Sequence, residues 1–273
     1  MAIHSTAIVD SEATIDTTAD IGPYVVIEGP VKVGPGTRVQ AHAHLSGWTT
    51  IGSDCEIHPF AVIGNTPQDF HHTGERSYCR VGDRVVIREG ATVHRGTQAE
   101  SETVIGDECF LMAYCHIGHN CQLGTSVKVY NMAALSGHVQ VEPGAIVSGY
   151  ALLHQFIRIG RLAFVAAGAR VGMDVPPFMM AFDESTIIQH NVLGMRRAGY
   201  SPEEVQEIRQ AFRILYRSGK LFRVAVEELV DSLETRAGRE LVEFLSFDSR
   251  RGFCGPSAGH RTVSRQPKSS MNA

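Results

Sequence analysis

No run in this chain of 273 residues approaches the roughly 18 consecutive apolar residues that a transmembrane helix needs. No membrane span is therefore expected. Neither sign of charge dominates. The 25 Lys and Arg against 29 Asp and Glu leave a formal −4 at pH 7, which gives no global footprint for nucleic acid or an anionic surface. The first residues, Met1-Ala2-Ile3-His4-Ser5, lack the basic and apolar regions of a signal peptide. Six cysteines without a secretion signal point to reduced thiols and a cytoplasmic protein. What remains is a chain long enough to bury a substantial core.

The core announces itself by period. Reading every sixth residue from Ile3 to Val171 samples 29 positions, of which 26 are Ile, Val or Leu; Asp69, Glu75 and Ala99 are the exceptions. The same reading begun at His4 finds no Ile, Val or Leu and ten Gly. Two residues before each aliphatic position the side chain is mostly small, as at Ala7, Ala13, Thr37, Ala43 and Ala61. Neither an amphipathic helix nor an alternating strand has this period. A six-residue repeat indicates a parallel β-helix, and the expected fold is an all-β left-handed parallel β-helix followed by a small α-helical C-terminal domain. Three hexads make one triangular rung of 18 residues, and rungs stack about 4.8 Å apart. The aliphatic residue fills the prism, the small one points in beside it, and the glycine after the aliphatic residue is expected to supply unusual φ/ψ at the corner. Cys55, Cys79, Cys109, Cys115 and Cys121 all fall in the small inward phase, so core filling is favoured over a metal or disulfide cluster.

The β-helix is expected over 1–177. Two polar stretches, NTPQDFHHTGERSYCR at 65–80 and QAESET at 98–103, lose the pattern and are expected as external loops, where binding residues are often mounted. An α-helical domain is expected over 178–253. Ser201-Pro202-Glu203-Glu204 reads as a helix start, with Val205, Ile208, Phe212, Leu215 and Tyr216 at helical spacing and Gly219 at its end. Further helices are expected near 222–235 and 238–246. The tail at 254–273 has almost no apolar content and is expected to be disordered.

His94, His116, His119, His138 and His154 all fall outside both inward phases, so they face outward. Stacking by 18 places Gly137 one rung above His119 and His138 one rung above Asn120. A histidine about 5 Å from a glycine N–H offers a general base and an oxyanion donor together, which suits attack of a hydroxyl on an acyl carbonyl. A site on an open prism face needs closing, and a second prism closes it best. Between Arg196 and Arg223, seven basic residues against three glutamates could attract a diphosphate or an acidic carrier protein.

At these residues the chain resembles the UDP-N-acetylglucosamine acyltransferases, cytoplasmic enzymes that begin lipid A synthesis. The likeness runs to about Phe253. It is carried by PQDFHHTGE at 67–75, VHRGT at 93–97, HIGHNC at 116–121, SGHV at 136–139, HQF at 154–156, DVPP at 174–177, NVLGMRRAGYS at 191–201 and YRSGK at 216–220. The resemblance implies a homotrimer with sites between prisms, and transfer of an acyl chain, such as a 3-hydroxyacyl chain, from acyl carrier protein to the 3-hydroxyl of a UDP-amino sugar. It implies His119 as general base and Gly137 as oxyanion donor. Substrate contacts are implied at Gln68, Asp69, His71, His94, His116, Asn120, Asn131, His138, His154, Gln155, Asn191 and Arg197. It further implies an acyl-chain ruler at Ala167, with Phe164 the next candidate; counting rungs from His119 puts Ala167 roughly 13 Å up the prism. A thioester is already activated, so no cofactor and no metal is expected.

Three positions depart from the family: Asn120 where aspartate is usual, His71 where lysine is usual, and Leu193 where glutamate is usual. Three other readings stand beside the first. A related UDP-sugar N-acyltransferase would carry an extra N-terminal domain, whereas the hexads here begin at Ile3. A carbonic-anhydrase-like zinc lyase would need three converging ligands, for which His116, His119 and His138 are the candidates. A non-catalytic hexapeptide scaffold is the last.

Overall fold

The hexads fold into a three-sided parallel β-helix. The computed structural model describes residues 2–256. On the first face Ala2–Ile3 pairs with Asp20–Ile21, on the second Ile8–Val9 pairs with Val26–Ile27, and on the third Thr14–Ile15 pairs with Lys32–Val33. Among the described residues the three sheets hold 12, 9 and 8 strands. Both inward phases are buried from Ala19 onward, aliphatic residues such as Ile57, Ile63 and Leu111 together with the small residues before them. The cysteines are filler, as their phase implies. All six are free and buried, and desolvation pushes Cys79, Cys109, Cys115 and Cys121 up to about 12.

Apart from Gly64, which has a φ of 79°, the glycines directly after the aliphatic residues serve a different purpose from the one expected. Left-handed φ falls three residues after the aliphatic position, at Tyr24 (57°), His42 (63°) and Asn120 (60°), for example. Gly34 instead sits where a Cβ would come within 2.6 Å of the Gly52 carbonyl oxygen on the next rung. Close approach of stacked corners, rather than dihedral freedom, excludes a side chain there.

The first loop is shorter than the sequence pattern suggested, and the second begins and ends earlier. Tyr78–Val81 and Glu102–Ile105 are strands of the third face, because Cys79, Val81, Thr103 and Ile105 already point into the prism. The excursions are residues 66–77 and 95–101. Trp48 pairs with Tyr78, thirty residues on, and Tyr78 with Glu102, twenty-four on. The insertions therefore add twelve and six residues to ordinary rungs, which is why counting by six passes through them undisturbed.

The segment expected as an α-helical domain, 178–253, begins with two strands. Met179–Phe182 continues the first face and Thr186–His190 turns back against it. Phe178, Met179, Ala181 and Ile187 bury over the last rung and close its apolar end. Four helices follow: α1 (Val192–Arg197), α2 (Pro202–Arg217), α3 (Phe222–Val230) and α4 (Arg236–Ser246). α2 starts as expected, with Ser201 and Glu204 forming a reciprocal capping box, and its five expected apolar residues are buried. α3 ends five residues early, since Thr235 is taken as the N-cap of α4, accepting from the Gly238 N–H at 3.1 Å. The ion pair of Arg158 with buried Asp174 (2.8 Å), with the guanidinium 4.3 Å over Phe244, docks α4 on the prism. Cys254 is buried and Gly255–Pro256 pairs with Thr186–Ile187, so the first three residues of the tail expected to be disordered are placed; residues 257–273 lie outside those described.

Candidate active site

Both insertions leave the prism at one edge, where the chain passes from the second face to the third. The same edge carries 118–121, 136–139 and 154–157 on successive rungs. Its corner residues Asn120, His138 and Phe156 share φ of 60–65°, so their side chains leave the backbone in the same direction and stack. The His119 and His138 rings meet edge-on at 5.2 Å, and His138 stacks on Phe156 at 4.6 Å.

His119 is only 8% exposed. Its Nδ1 lies 2.9 Å from the Asn120 Oδ1, and the Thr97 backbone N–H donates to that same oxygen at 3.1 Å. A backbone N–H can only donate, so the amide presents oxygen at this point. Nδ1 must then carry a proton, and in the neutral ring Nε2 is left as the acceptor. Asn120 is itself fixed by its N–H bond to the Thr103 hydroxyl at 2.8 Å. The imidazole lies across Gly137 so closely that a Cβ there would collide with the ring. Among the described residues the Gly137 N–H has no acceptor. An unprotonated nitrogen and an open N–H donor thus face one space, with no side chain between them.

The neighbours keep that space uncharged on one side and anionic on the other. Desolvation, followed by His94 and His119, pushes His116 down to about 4; desolvation also lowers His94 and His138. His116 Nδ1 bonds the Thr92 hydroxyl (2.8 Å), and His94 Nδ1 donates to the Thr66 carbonyl (2.6 Å). On the loop of 66–77, the Asp69 carboxylate reaches within 3.7 Å of His119 Nε2. The His71 backbone N–H and then its ring hold that carboxyl down at about 2. Asp69 therefore supplies next to Nε2 the full charge that Asn120 lacks.

A cavity of about 190 Å³ is lined by Gln68, His94, His116, His119, Gly137 and Gln155, among others. It gathers six of the residues expected from sequence, and it is smaller than a nucleotide sugar. His154 lies on the same edge beside a second hollow of about 470 Å³ with Leu152 and Arg170, and His71 is exposed beyond Asp69. Other expected residues lie elsewhere. Asn131 and Ala167 sit on the edge between the first and second faces, and Phe164 is on the first face. Counting rungs gave the height of Ala167, but 48 residues is two turns and two thirds of another, which puts it on a different edge from His119. Asn191 caps α1, accepting from the Gly194 N–H (2.9 Å) and donating to the Leu162 carbonyl (2.8 Å). Arg197 is exposed at the end of α1. Among the described residues no three His, Cys, Asp or Glu groups are placed within this chain to hold a metal.

Thr97, Thr103, Phe156 and Arg250, whose guanidinium lies 4.3 Å over the Phe156 ring, were given no role from sequence, although Thr97 and Phe156 fall within VHRGT and HQF. Thr103 occupies the small inward phase and reads as core; the others become visible only once the edge is assembled.

The profile described as "Udp N-acetylglucosamine O-acyltransferase; Domain 2" matches residues 174–254, and "Bacterial transferase hexapeptide (six repeats)" matches 30–65 and 102–137. A protein of Thermodesulfovibrio yellowstonii named acyl-(acyl-carrier-protein)–UDP-N-acetylglucosamine O-acyltransferase is 40% identical over 258 residues, covering 92% of this chain and 98% of its own. One of the same name from Halorhodospira halophila is 41% identical over 253 residues, covering 92% and 98%. The crystal structure of Francisella novicida UDP-N-acetylglucosamine acyltransferase superposes with a TM-score of 0.90 at 36% identity, covering 94% of this chain and 95% of the other.

Proposed function

The chain belongs to the UDP-N-acetylglucosamine O-acyltransferase family, and from that premise we propose that it moves an acyl chain from acyl carrier protein to the 3-hydroxyl of UDP-N-acetylglucosamine, the first step of lipid A biosynthesis. The single observation that carries the reading is His119 Nε2 facing the open Gly137 N–H. Nε2 takes the hydroxyl proton as the sugar oxygen attacks the thioester carbonyl. The carbonyl oxygen becomes anionic and is held by the Gly137 N–H. Collapse breaks the C–S bond, and the thiolate leaves with the proton from Nε2. Asp69 stabilises the imidazolium in between, and the uncharged His116, His94 and His138 add no competing cation.

The reading includes a homotrimer whose neighbouring prism completes the half-built cavity, and a cytoplasmic location where both substrates are made. Among the described residues no helix is long and apolar enough to cross a membrane. In such an assembly Ala167 acts on the acyl chain from a neighbouring prism. Ala167→Gly then shifts preference toward longer chains, read by competition between donors differing by two carbons; identical profiles would remove Ala167 as the ruler. The test of the whole is an acyl-transfer assay with UDP-N-acetylglucosamine and a panel of carrier-protein thioesters. An acylated nucleotide sugar is expected. A folded protein that turns over none of the panel would leave only the scaffold reading.

A further inference from the structure

The stack on the catalytic edge does not end at Phe156. One rung higher the equivalent corner residue is Asp174, but its carboxylate turns inward to Arg158 and it is 1% exposed. Its place on the outside is taken from another part of the chain. After α4 the backbone returns to the prism and runs beside 172–174: the Asp174 N–H donates to the Gly252 carbonyl (2.8 Å), the Cys254 N–H to the Asp174 carbonyl (2.8 Å), and Arg251 Nε to the Gly172 carbonyl (2.9 Å). This anchoring sets the Arg250 guanidinium 4.3 Å over the Phe156 ring. Arg250 is exposed, and among the described residues it has no carboxylate partner. A cation held on an aromatic face beside a reaction site, with its N–H groups unspent, is prepared for an anion.

We infer that Arg250 binds the phosphate of the acyl donor's phosphopantetheine arm. This rests on the acyl-transfer reading of the edge. Arg250 stands three rungs beyond His119, on the order of 14 Å. The acceptor's diphosphate is separated from its 3-hydroxyl only by a sugar ring, too short for that span. A pantetheine arm with its thioester carbonyl at the Gly137 N–H reaches that far along the edge. The side chains it would pass, His138 and Phe156, are stacked on one another and present ring edges to a narrow chain. The same return segment leads back to the helices, where Arg209 and Arg213 of α2 are exposed, a charge that suits an acidic carrier. His138 is the other group that Arg250 faces: desolvation, His119 and Arg250 all lower it against Asp69. A cation there also keeps that ring neutral.

Arg250→Ala and Arg250→Lys are compared with wild type using two donors: the carrier-protein thioester, and an acyl-N-acetylcysteamine thioester that has no phosphate. For Arg250→Ala the KM for the carrier thioester should rise about tenfold, the loss of one charge-assisted hydrogen bond. The kcat and the KM for the nucleotide sugar should stay within about twofold, and turnover of the cysteamine thioester should be unchanged. Arg250→Lys should recover part of the KM. Direct titration of phosphopantetheine against wild type and Arg250→Ala reads the contact without turnover, so its result stands even if the proposed reaction fails. Equal losses with both donors, or no loss with either, would overturn the assignment. A rise confined to the KM of the nucleotide sugar would give Arg250 to the acceptor instead.

Discussion

Two edges of the prism are built from the same backbone and carry opposite surfaces. On the edge between the second and third faces, the left-handed corner positions hold Asn120, His138 and Phe156, with both loops folded beside them. On the edge between the first and second faces, the same positions hold Tyr24, His42, Phe60, Tyr114, Met132 and Tyr150. Tyr24, His42 and Phe60 stack at 5.1 Å, and most of this column is exposed. The repeat thus supplies columns of side chains about one rung apart, without regard to what they are. One column, partly sheltered by loops, has polar groups with assigned partners; the other is a bare apolar ridge of the kind that marks an association surface.

The comparison breaks most sharply at His119. His119→Ala should cost on the order of 10²–10⁴ in kcat while leaving the assembly intact; near-normal turnover would remove His119 from the chemistry. Gly137→Ala should follow, with a loss of about 10²-fold, because the added methyl displaces the ring and the oxyanion donor together. Unchanged kcat in that variant would mean that neither group is used. On the other edge, Phe60→Asp with Tyr150→Asp should leave a folded prism that no longer assembles. Light scattering should find a species near 29.8 kDa in place of one near three times that mass, and activity should fall only through dissociation. A trimer that survives both charges would place the interface elsewhere.

The smallest effect concerns pH. His116 is held at about 4 in the folded chain against an ordinary 6.5. Because its folded value is depressed, the unfolded chain takes up the proton first, and stability drains away as pH falls from about 6.5 toward 4. His116→Gln should therefore reduce the drop in Tm between pH 7 and pH 5, by a few degrees at most. An identical drop in wild type and variant would show that His116 ionises freely.

The alternation of large and small residues was enough to give the fold and the free cysteines, because inward phases recur every six residues whatever lies between. It also brought His119 to Gly137, which lie on adjacent ordinary rungs. The contact of Thr97 with Asn120 was hidden. It crosses the second insertion, and nothing in a period of six reveals how many hexads leave the prism. Ala167 was misplaced for a related reason, since a hexad count gives height more readily than face. Arg250 joins the edge from the far side of four helices, a contact that no local pattern encodes.

The strand pair after Val171 also governs what cannot be added to this molecule. A parallel stack has two ends, and each is a template on which foreign strands could grow. At the C-terminal end, Met179–Phe182 and the antiparallel Thr186–His190 bring the first face to a reversal, and α4 docks against Arg158 on the third. At the other end Ile8 is exposed, but each face offers a strand of only two residues before the chain turns a corner. An incoming segment would have to bend three times in register to gain a full rung of hydrogen bonds. Ordinary extended chains cannot, so the triangular path itself keeps a long parallel stack from propagating into a fibre.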